Sequence, residues 1–310
     1  MKILDINKAT ELDYVSYGSV LINAMPQVRS GKKNDFMVGN MMTAEGSAEF
    51  KIWEQRTFQT VLDHGPGIYD VEVCGSDYNG VYLTVRKIAY IEAPELSIHD
   101  FLPAIPREYL SQFWTDTCKK LNDRGVSYQC WKLVEKILKD PEVNGRFYIE
   151  GAAIMHHDNK IGGLVHHTTK MMNILAALLD NIPELQKVAD LLCMGIILHD
   201  IGKVFEYENL SAGEFWYANH RARGIELMGR YKEMLVEAYD EEFYRQLQSI
   251  IIGHHGEYGD RPTTVAAGIV HYIDTLESQS TGLIEEQINS HDTKFRYGTW
   301  GWLQALPNPK

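Results

Sequence analysis

The sequence predicts a multidomain β + α protein, in which a small antiparallel β domain precedes an all-helical domain. Between about residues 14 and 92, short alternating apolar and polar runs are separated by Gly, Asn and Asp, which is typical of strands joined by turns. After about residue 107, apolar residues recur at helical spacing. The change follows a segment with prolines at 94, 103 and 106, which is typical of a linker.

Five strand-like runs occupy the first part: YVSYGSVLI, DFMVGNMMTA, AEFKIW, IYDVEVCGSD and VYLTVRKIAYIE. Asn79-Gly80 lies between the last two and predicts a hairpin, because Asn-Gly accepts the positive φ angles of a tight two-residue turn. Five strands in about 80 residues suit a five-stranded Greek-key barrel of the oligonucleotide-binding (OB) type. We therefore expect an OB-fold barrel over residues 1–95.

The second part contains five segments that each predict one amphipathic or buried helix, at residues 108–123, 128–140, 163–180, 184–200 and 241–255. We expect residues 96–150 to form a linker and leading helices, residues 151–290 the functional helical domain, and residues 291–310 a C-terminal tail. The tail contains Trp300 and Trp302, which either form an apolar contact surface or fold back on their own chain.

The composition excludes several classes of protein. No apolar run approaches the roughly 18 to 20 residues needed to cross a bilayer, and the charged start is unlike a signal peptide, so we expect a cytoplasmic protein. The four cysteines form no CxxC pair and are expected to be reduced thiols. The net charge of −12 argues against binding nucleic acid by a general electrostatic surface, although Arg29, Lys32 and Lys33 form a local basic cluster.

The histidines are concentrated in the helical part. Of twelve histidines, nine lie between residues 156 and 271, and six of these form adjacent pairs. Asp200 and Asp274 interrupt apolar runs in the same region. A buried polar group without a partner costs roughly 1 to 3 kcal/mol, so imidazoles and carboxylates on several buried helices need a common partner. The pattern predicts a divalent transition-metal site with nitrogen and oxygen ligands.

The ordered series of histidines and aspartates resembles the HD-domain metal-dependent phosphohydrolases. The motifs GAAIMHHDNKIGGLVHHTTKM, LLCMGIILHDIGK, NHRARG, IIIGHHGEYG and GIVHYIDTLES are similar, more specifically, to those of the YhaM-type 3′-to-5′ exoribonucleases. Those enzymes carry an N-terminal OB barrel before a helical HD domain. The motifs cover residues 151 to 279, and the barrel agrees through EFKIWE and the last predicted hairpin.

The resemblance implies a set of metal ligands: His167, His199, Asp200, His220, His254, His255 and Asp274. Asp200 would bridge two ions, with three of the other ligands on each. Manganese is the expected metal, because a histidine-rich site with a bridging carboxylate suits borderline ions better than magnesium; cobalt, nickel or iron are the alternatives. Lys203 either acts with Asp200 in catalysis by contacting a substrate phosphate or is a solvated lysine in the last turn of the helix.

Three features depart from the family pattern. The carboxylate that usually precedes the first ligand is replaced by His166, so His166 and His167 compete for that role, and the register favours His167. Asn219-His220-Arg221 stands where the family has Gly-His-Ile, and the segment after HHGE is shorter. His156 and His157 fall on a histidine pair of the family, where they either contact substrate or support a ligand.

The resemblance implies hydrolysis of the last phosphodiester at the 3′ end of single-stranded RNA, with single-stranded DNA as an open alternative. Two divalent ions can activate water and neutralise the charge of the phosphate, and the products are nucleoside 5′-monophosphates. OB barrels hold single strands by stacking bases on aromatic rings. Candidate contacts are Trp53, Phe58, Tyr69, Tyr78, Tyr82, Arg29, Lys32, Lys33, Arg221, Arg223 and His157, although packing within a strand is the favoured explanation of each single aromatic.

Other functions remain open from the sequence. One is an HD phosphohydrolase that acts on a dNTP, a cyclic nucleotide or a guanosine polyphosphate and uses the OB domain for regulation. Another is a non-catalytic single-strand binder with a structural metal site. The resemblance also implies a homo-oligomer.

Overall fold

The computed structural model describes residues 2–31, 34–78, 80–153, 158–256, 259–290 and 293–307. The chain divides into two compact units, residues 1–104 and 105–310, and each unit has its own hydrophobic core. The first unit is rich in strands and the second is helical, so the predicted β + α class is confirmed. No helix within the described residues is both long enough and apolar enough to span a bilayer.

Within its described residues, the first unit contains six strands and two α-helices. In chain order they are α1 (Ile6–Ala9), β1 (Val15–Ile22), β2 (Gln27–Ser30), β3 (Asp35–Thr43), β4 (Gly46–Ile52), α2 (Gln55–His64), β5 (Gly67–Asp77) and β6 (Val81–Tyr90). The hairpin predicted around Gly80 is present, since β5 and β6 pair antiparallel up to Asp77 and Val81. That register leaves residues 78–80 in the connection, one more than the predicted two-residue turn; Asn79 itself lies outside the described residues.

The six strands form one sheet with the order β1-β5-β6-β4-β3-β2. β4 and β6 are parallel, and β1 also pairs with β3 at Leu21 and Met42, which returns the sheet to its first strand. β1 and β2 are separated by a break that contains Pro26, and they continue one another along β3. If β1 and β2 are counted as one interrupted strand, the sheet has five strands, and their connection is the Greek-key arrangement of an OB-fold.

The helix α2 between β4 and β5 was not predicted from the sequence. Its residues Phe58 and Val61 are one turn apart, so they lie on one face and are buried against the core of the first unit. The largest fully buried side chains of this core include Phe50 and Tyr69. Placing α2 on the sheet therefore completes the core that the alternating strand residues begin.

The second unit contains nine helices within its described residues and two short hairpins. The helices are α3 (Arg107–Asn122), α4 (Tyr128–Leu138), α5 (Gly163–Asn181), α6 (Ala189–Leu198), α7 (Lys203–Glu206), α8 (His220–Arg230), α9 (Lys232–Ala238), α10 (Glu241–Gly253) and α11 (Val265–Ser290). The hairpins are β7 (Tyr207–Glu208) with β8 (Ser211–Ala212), and β9 (Lys294–Tyr297) with β10 (Gly301–Gln304).

Helix α6 is the centre of this unit. All of its residues except Asp190 are buried, and it contacts α4, α5, α10 and α11. The segment predicted as one helix over residues 184–200 is in fact a short 3-10 helix, Pro183–Val188, followed by α6. Because α6 is surrounded by helices, His199 and Asp200 at its C-terminal end lie close to residues of the neighbouring helices.

The C-terminal tail forms the β9–β10 hairpin and folds back on its own chain. Phe295 is buried, and the backbone N–H of Leu306 donates to Gln287 Oε1 of α11 at 2.8 Å. Trp300 and Trp302 remain exposed on this hairpin.

Candidate metal centre

Two groups of side chains in the helical unit have the composition of a metal site. The Asp200 group consists of Asp200, His220, His254 and His255, and the His167 group consists of His167, His199 and Asp274. Within each group, one nitrogen or oxygen atom per residue lies within 4.8 Å of those of the other members. The structure therefore brings together all seven side chains that the sequence predicts as ligands.

Two of the ligand pairs stand at the C-terminal ends of helices. His199 caps α6 and is followed by Asp200, while His254 caps α10 and is followed by His255. The C-terminal end of a helix carries a partial negative charge of about half an elementary charge. Two such ends next to the ligands favour the binding of a cation.

Asp200 contacts members of both groups. Its Oδ1 lies 3.4 Å from His254 Nε2 and 3.6 Å from His220 Nε2, and its Oδ2 lies 3.2 Å from His199 Nε2. In the His167 group, His167 Nε2 lies 3.3 Å from Asp274 Oδ1. A carboxylate that faces both groups is in the position required of a bridging ligand between two cations.

The buried polar atoms at this centre fit a divalent cation. Asp200 Oδ1, His199 Nε2 and His254 Nε2 are buried and make no hydrogen bond within the described residues, although they lie close to one another. Each such atom costs roughly 1 to 3 kcal/mol if nothing binds it. Imidazole nitrogens and carboxylate oxygens without a thiolate are the ligands of borderline divalent ions such as manganese, cobalt, nickel and iron.

Each of four ligand imidazoles is oriented by an acceptor at its other nitrogen. His199 Nδ1 lies 2.7 Å from the carbonyl oxygen of Ile196, and His254 Nδ1 lies 2.9 Å from that of Ile251. A carboxylate does the same for the other two, with Glu206 at His220 Nδ1 and Glu277 at His167 Nδ1. Such contacts favour a proton on Nδ1 and orient Nε2 as the atom that would bind a metal.

Glu206 and Glu277 were not predicted from the sequence. Glu206 Oε2 lies 2.6 Å from His220 Nδ1, and Glu277 forms ion pairs with both His167 and Lys170. The spacing of Glu277, three residues after Asp274, places both on one face of α11 and could have indicated it. Glu206 has no comparable signal, because it reaches His220 only through the fold.

The electrostatics of the Asp200 group keep its ligands ready to bind. Burial alone would raise the pKa of Asp200, but Lys203 and His199 lower it well below its usual range. Burial lowers the pKa of His254, and burial next to His254 lowers the pKa of His255 to about 3. Near neutral pH these three side chains therefore carry no proton that a cation must displace.

In the His167 group, by contrast, a proton on one imidazole competes with the cation. Burial alone would lower the pKa of His167, but the carboxylates of Asp274 and Glu277 raise it to about 9. Burial likewise would raise the pKa of Glu277, and His167 and Lys170 instead lower it to about 2. A cation that enters this group must take the place of a proton on His167.

Two contacts hold the Lys203 ammonium beside Asp200. Its Nζ donates to Asp200 Oδ2 at 2.6 Å and to the carbonyl oxygen of Ala152 at 2.5 Å. Burial would lower the pKa of Lys203, but Asp200 raises it above its usual value, so the ammonium stays charged. An ammonium has three donors; the predicted contact between the third and a substrate phosphate stays a prediction.

Gly202, directly before α7, allows the backbone of this segment to approach the backbone at the start of α8. A Cβ atom at this position would lie 1.8 Å from the carbonyl oxygen of His220 and 2.8 Å from the backbone nitrogen of Gly224. Only glycine fits without moving His220, so the glycine of the HDIG motif serves the placement of the ligand on α8.

The rings of His166 and His167 have different surroundings, which favours His167 as the candidate ligand. His166 Nδ1 lies 3.0 Å from Asp158 Oδ1, and its ring packs near Tyr109 and Phe113, away from the ligand groups. His167 belongs to the centre. Two adjacent residues of a helix point about 100° apart, which is why only one of them can face the site.

The aromatic residues proposed to contact nucleic acid fall into two classes. Trp53 and Tyr78 are exposed, and Trp53 stacks on Phe36 at 4.8 Å between ring centroids. Phe58 and Tyr69 are buried in the core, and Tyr82 is buried with Lys51 Nζ 3.6 Å above its ring. The prediction is therefore wrong for these three, because a ring within the core cannot stack on a base.

The predicted cationic contacts are also dispersed. Arg29 lies in the exposed strand β2. Arg221 Nη1 donates to the carbonyl oxygen of Ile252 at 3.1 Å and pairs with Asp260 at 2.9 Å, and Arg223 pairs with Glu226 at 2.9 Å. Lys32, Lys33 and the pair His156 and His157 lie outside the described residues.

Comparison with known proteins first defines the class. A protein-family model described as the HD domain matches residues 164–279, the span that contains all seven ligands. The helical unit is therefore similar to an HD domain, the class that its candidate metal centre also indicates, and it follows a β unit in the chain.

The particular relatives are 3′-5′ exoribonucleases named YhaM, to which the chain is similar over most of its length. The protein of Bacillus subtilis (strain 168) is 26% identical over 270 residues, which cover 84% of this chain and 83% of the relative. That of Bacillus licheniformis is 28% identical over 272 residues, with the same two coverages of 84% and 83%. That of Geobacillus sp. (strain WCH70) is 26% identical over 276 residues, covering 84% of this chain and 81% of the relative. The resemblance predicted from the motifs is confirmed.

Among solved structures, the second OB-fold domain of replication protein A from Methanococcus maripaludis matches 27% of this chain and 91% of that chain. The two are 17% identical, with a TM-score of 0.21.

Proposed function

We propose that this protein is a metal-dependent 3′-to-5′ exonuclease that removes nucleoside 5′-monophosphates from single-stranded RNA. The observation that carries the proposal is the position of Asp200 between two groups of nitrogen and oxygen ligands inside an HD domain. Similarity to 3′-5′ exoribonucleases over 84% of the chain supports the same activity.

The chemistry follows from the ligand set. Two divalent ions, when bound, activate water and neutralise charge on the phosphate. In the reaction the water oxygen attacks phosphorus and stays on the released 5′-monophosphate, while the P–O3′ bond breaks and O3′ takes up a proton on the shortened strand. Asp200 joins the two ligand groups, and Lys203 keeps a positive charge beside it. No nucleophilic side chain is needed.

The metal we propose is manganese, with cobalt, nickel or iron as replacements. The support is chemical: five of the seven ligands are imidazoles and two are carboxylates. Magnesium prefers oxygen ligands and retains its water, so it fits this set less well.

The polymer would be held in part by the β unit. Its connectivity is that of an OB-fold, and Trp53 and Tyr78 are exposed on it. Stacking of bases on aromatic rings holds single strands with little dependence on sequence or charge, which suits a chain with a net charge of −12. RNA is the proposed substrate and single-stranded DNA is the competitor to test against it.

The proposal includes a homo-oligomer in the cytoplasm. Resemblance to the exoribonuclease family supports the assembly, and the exposed Trp300 and Trp302 are candidate contacts.

A product analysis tests the activity. A single-stranded RNA labelled at its 5′ end is incubated with the protein and Mn²⁺, alongside DNA of the same sequence and a panel of dNTPs, cyclic nucleotides and guanosine polyphosphates. We expect a ladder that shortens from the 3′ end and release of 5′-monophosphates. Hydrolysis confined to the mononucleotides would contradict the proposal. An RNA blocked by a 3′-terminal phosphate and the Asp200→Asn variant serve as controls.

A further inference from the structure

Three consecutive aromatic side chains are exposed beside the metal centre. Phe215, Trp216 and Tyr217 are 56%, 59% and 71% exposed, and they lie in the loop between β8 and α8. The residue that begins α8 is His220, a member of the Asp200 group. Three residues of extended chain span at most roughly 11 Å, so Tyr217 is close to the ligand.

The loop is closed at its base by Glu206. The backbone N–H of Gly213 donates to the carbonyl oxygen of Glu206 at 2.9 Å, and the backbone N–H of His220 donates to Glu206 Oε2 at 3.2 Å. The same carboxylate lies 2.6 Å from His220 Nδ1. One residue therefore holds both ends of the aromatic loop and orients the metal ligand.

The hairpin that precedes the loop is held in an unusual conformation. Asn209 and Leu210 form the turn between β7 and β8, with φ angles of 50° and 63°. A leucine in the left-handed region is strained and persists only where its surroundings fix it. Leu210 is buried, so its side chain anchors the hairpin while the three rings that follow remain in solvent.

The loop itself is ordered by turns. The N–H of Trp216 donates to the carbonyl oxygen of Gly213 at 3.3 Å, and the N–H of Ala218 donates to that of Phe215 at 2.9 Å. Phe215 and Tyr217 approach at 6.3 Å between ring centroids with an angle of 80°. Three large apolar rings on a fixed loop are not explained by the core of this unit.

We propose that Phe215, Trp216 and Tyr217 form a stacking platform for the bases next to the 3′ end of a single-stranded nucleic acid. The proposal rests on the proposed exonuclease activity and adds a binding surface in the helical unit. Bases stacked at roughly 3.4 Å per nucleotide would cover 11 Å with about three nucleotides. The platform would hold the strand about three nucleotides from the bond that is cut.

The choice of a nucleic acid follows from the position of the rings. The platform precedes His220 by three residues, and the positively charged Arg221 follows that ligand at once. A strand whose last phosphate reaches the metal centre has its preceding bases within range of the loop. Every base has a flat face, so stacking accepts any sequence, as an enzyme that removes successive nucleotides requires.

The test compares substrates of two lengths. A 10-mer reaches the platform and a dinucleotide does not, so kcat/KM is measured for both with the wild type and with the triple variant F215A/W216A/Y217A. Stacking contributes roughly 5- to 150-fold in affinity per base. We expect the ratio of kcat/KM between the 10-mer and the dinucleotide to fall at least about tenfold in the triple variant, to fall in W216A, and to recover in W216F.

A matched control removes an exposed ring elsewhere. Tyr128 begins α4 and is 81% exposed, and Tyr128→Ala is expected to keep the wild-type ratio. Metal content and molar mass in solution are measured for every variant.

Several results would overturn the platform. They are an unchanged ratio in the triple variant, an equal loss for both lengths, the same loss in Tyr128→Ala, or a change in molar mass that identifies the rings as a contact between copies of the chain. If the wild type shortens neither substrate, the proposed function fails first and the platform fails with it. If the wild type is active and only the ratio is unchanged, the platform alone is wrong.

Discussion

The two ligand groups of the centre contain the same kinds of side chain but differ in how strongly protons compete with a cation. In the Asp200 group, burial holds the pKa of His255 to about 3 and lowers that of His254. In the His167 group, two carboxylates raise the pKa of His167 to about 9. The difference indicates that the ligand type alone does not set the affinity for a cation, because the charges around each imidazole decide whether it is protonated before a cation binds.

The largest expected effect removes what the two groups share. Asp200→Ala should lower turnover at least about 1,000-fold, because several kcal/mol of charge stabilisation at the phosphate depends on cations that Asp200 holds. Single-strand binding by the β unit should be retained. Turnover is measured on labelled RNA and binding by fluorescence anisotropy, with Asp180→Asn, which alters a surface ion pair with Arg124, as the control. Full activity in Asp200→Ala would show that turnover does not depend on cations held by Asp200.

The next effect separates the groups by pH. A ligand whose pKa in the folded protein is raised must release its proton on binding, so cation affinity at the His167 group should rise with pH and level off near 9. Between pH 7 and 9 the gain is about 50-fold, with about ninefold over the first pH unit and about fivefold over the second. Affinity at the Asp200 group should change less than about twofold over the same range. Calorimetric titration with Mn²⁺ at pH 7, 8 and 9 measures the affinity of both groups. Two classes of binding site whose affinities depend equally on pH would contradict the difference between the groups.

Glu206 offers a change confined to the Asp200 group. Glu206→Gln keeps the size of the side chain but removes the charge that faces His220 Nδ1, so cation affinity of that group should fall about tenfold. The pH dependence of the His167 group should be unaffected. Titration at pH 9, where the proton on His167 competes least within the tested range, measures this loss. Equal weakening of both groups would show that Glu206 acts through the fold.

The smallest expected effect concerns Glu277. Glu277→Gln removes one of two carboxylates that hold the proton on His167. A hydrogen bond to a charged group contributes about 1.5 kcal/mol, so the pH at which affinity of the His167 group levels off should fall from about 9 to about 8. NMR titration of the His167 ring in metal-free protein follows the same change directly. An unaltered titration would assign the raised pKa to Asp274 alone.

The sequence predicts the centre better than its surroundings. A metal site could be predicted because histidines and aspartates interrupt apolar helices, where a polar group needs a partner, and the family resemblance implied the seven candidate ligands. Glu206 could not be predicted, because it meets His220 only where α7 and α8 lie side by side. Phe215, Trp216 and Tyr217 could not be distinguished from core residues, because only the fold shows that they face solvent.

The β unit shows the same limit. Alternation predicts the strands and the antiparallel pairing of β5 with β6, since one face of each strand must be buried. It does not tell which face of each strand is buried, so Tyr17 of β1 and Tyr69 of β5 are equivalent in the sequence and opposite in burial. Helix α2 was missed because only Phe58 and Val61 of its ten residues are buried.

The measurement that tests the central claim most directly is the number of Mn²⁺ ions bound per chain in the wild type and in Asp200→Ala, determined by equilibrium titration and elemental analysis at pH 9. We predict two ions in the wild type and none that are tightly bound in the variant, because Asp200 faces both ligand groups. A single ion in the wild type, or two ions retained without Asp200, would contradict the assignment of this carboxylate as the bridge.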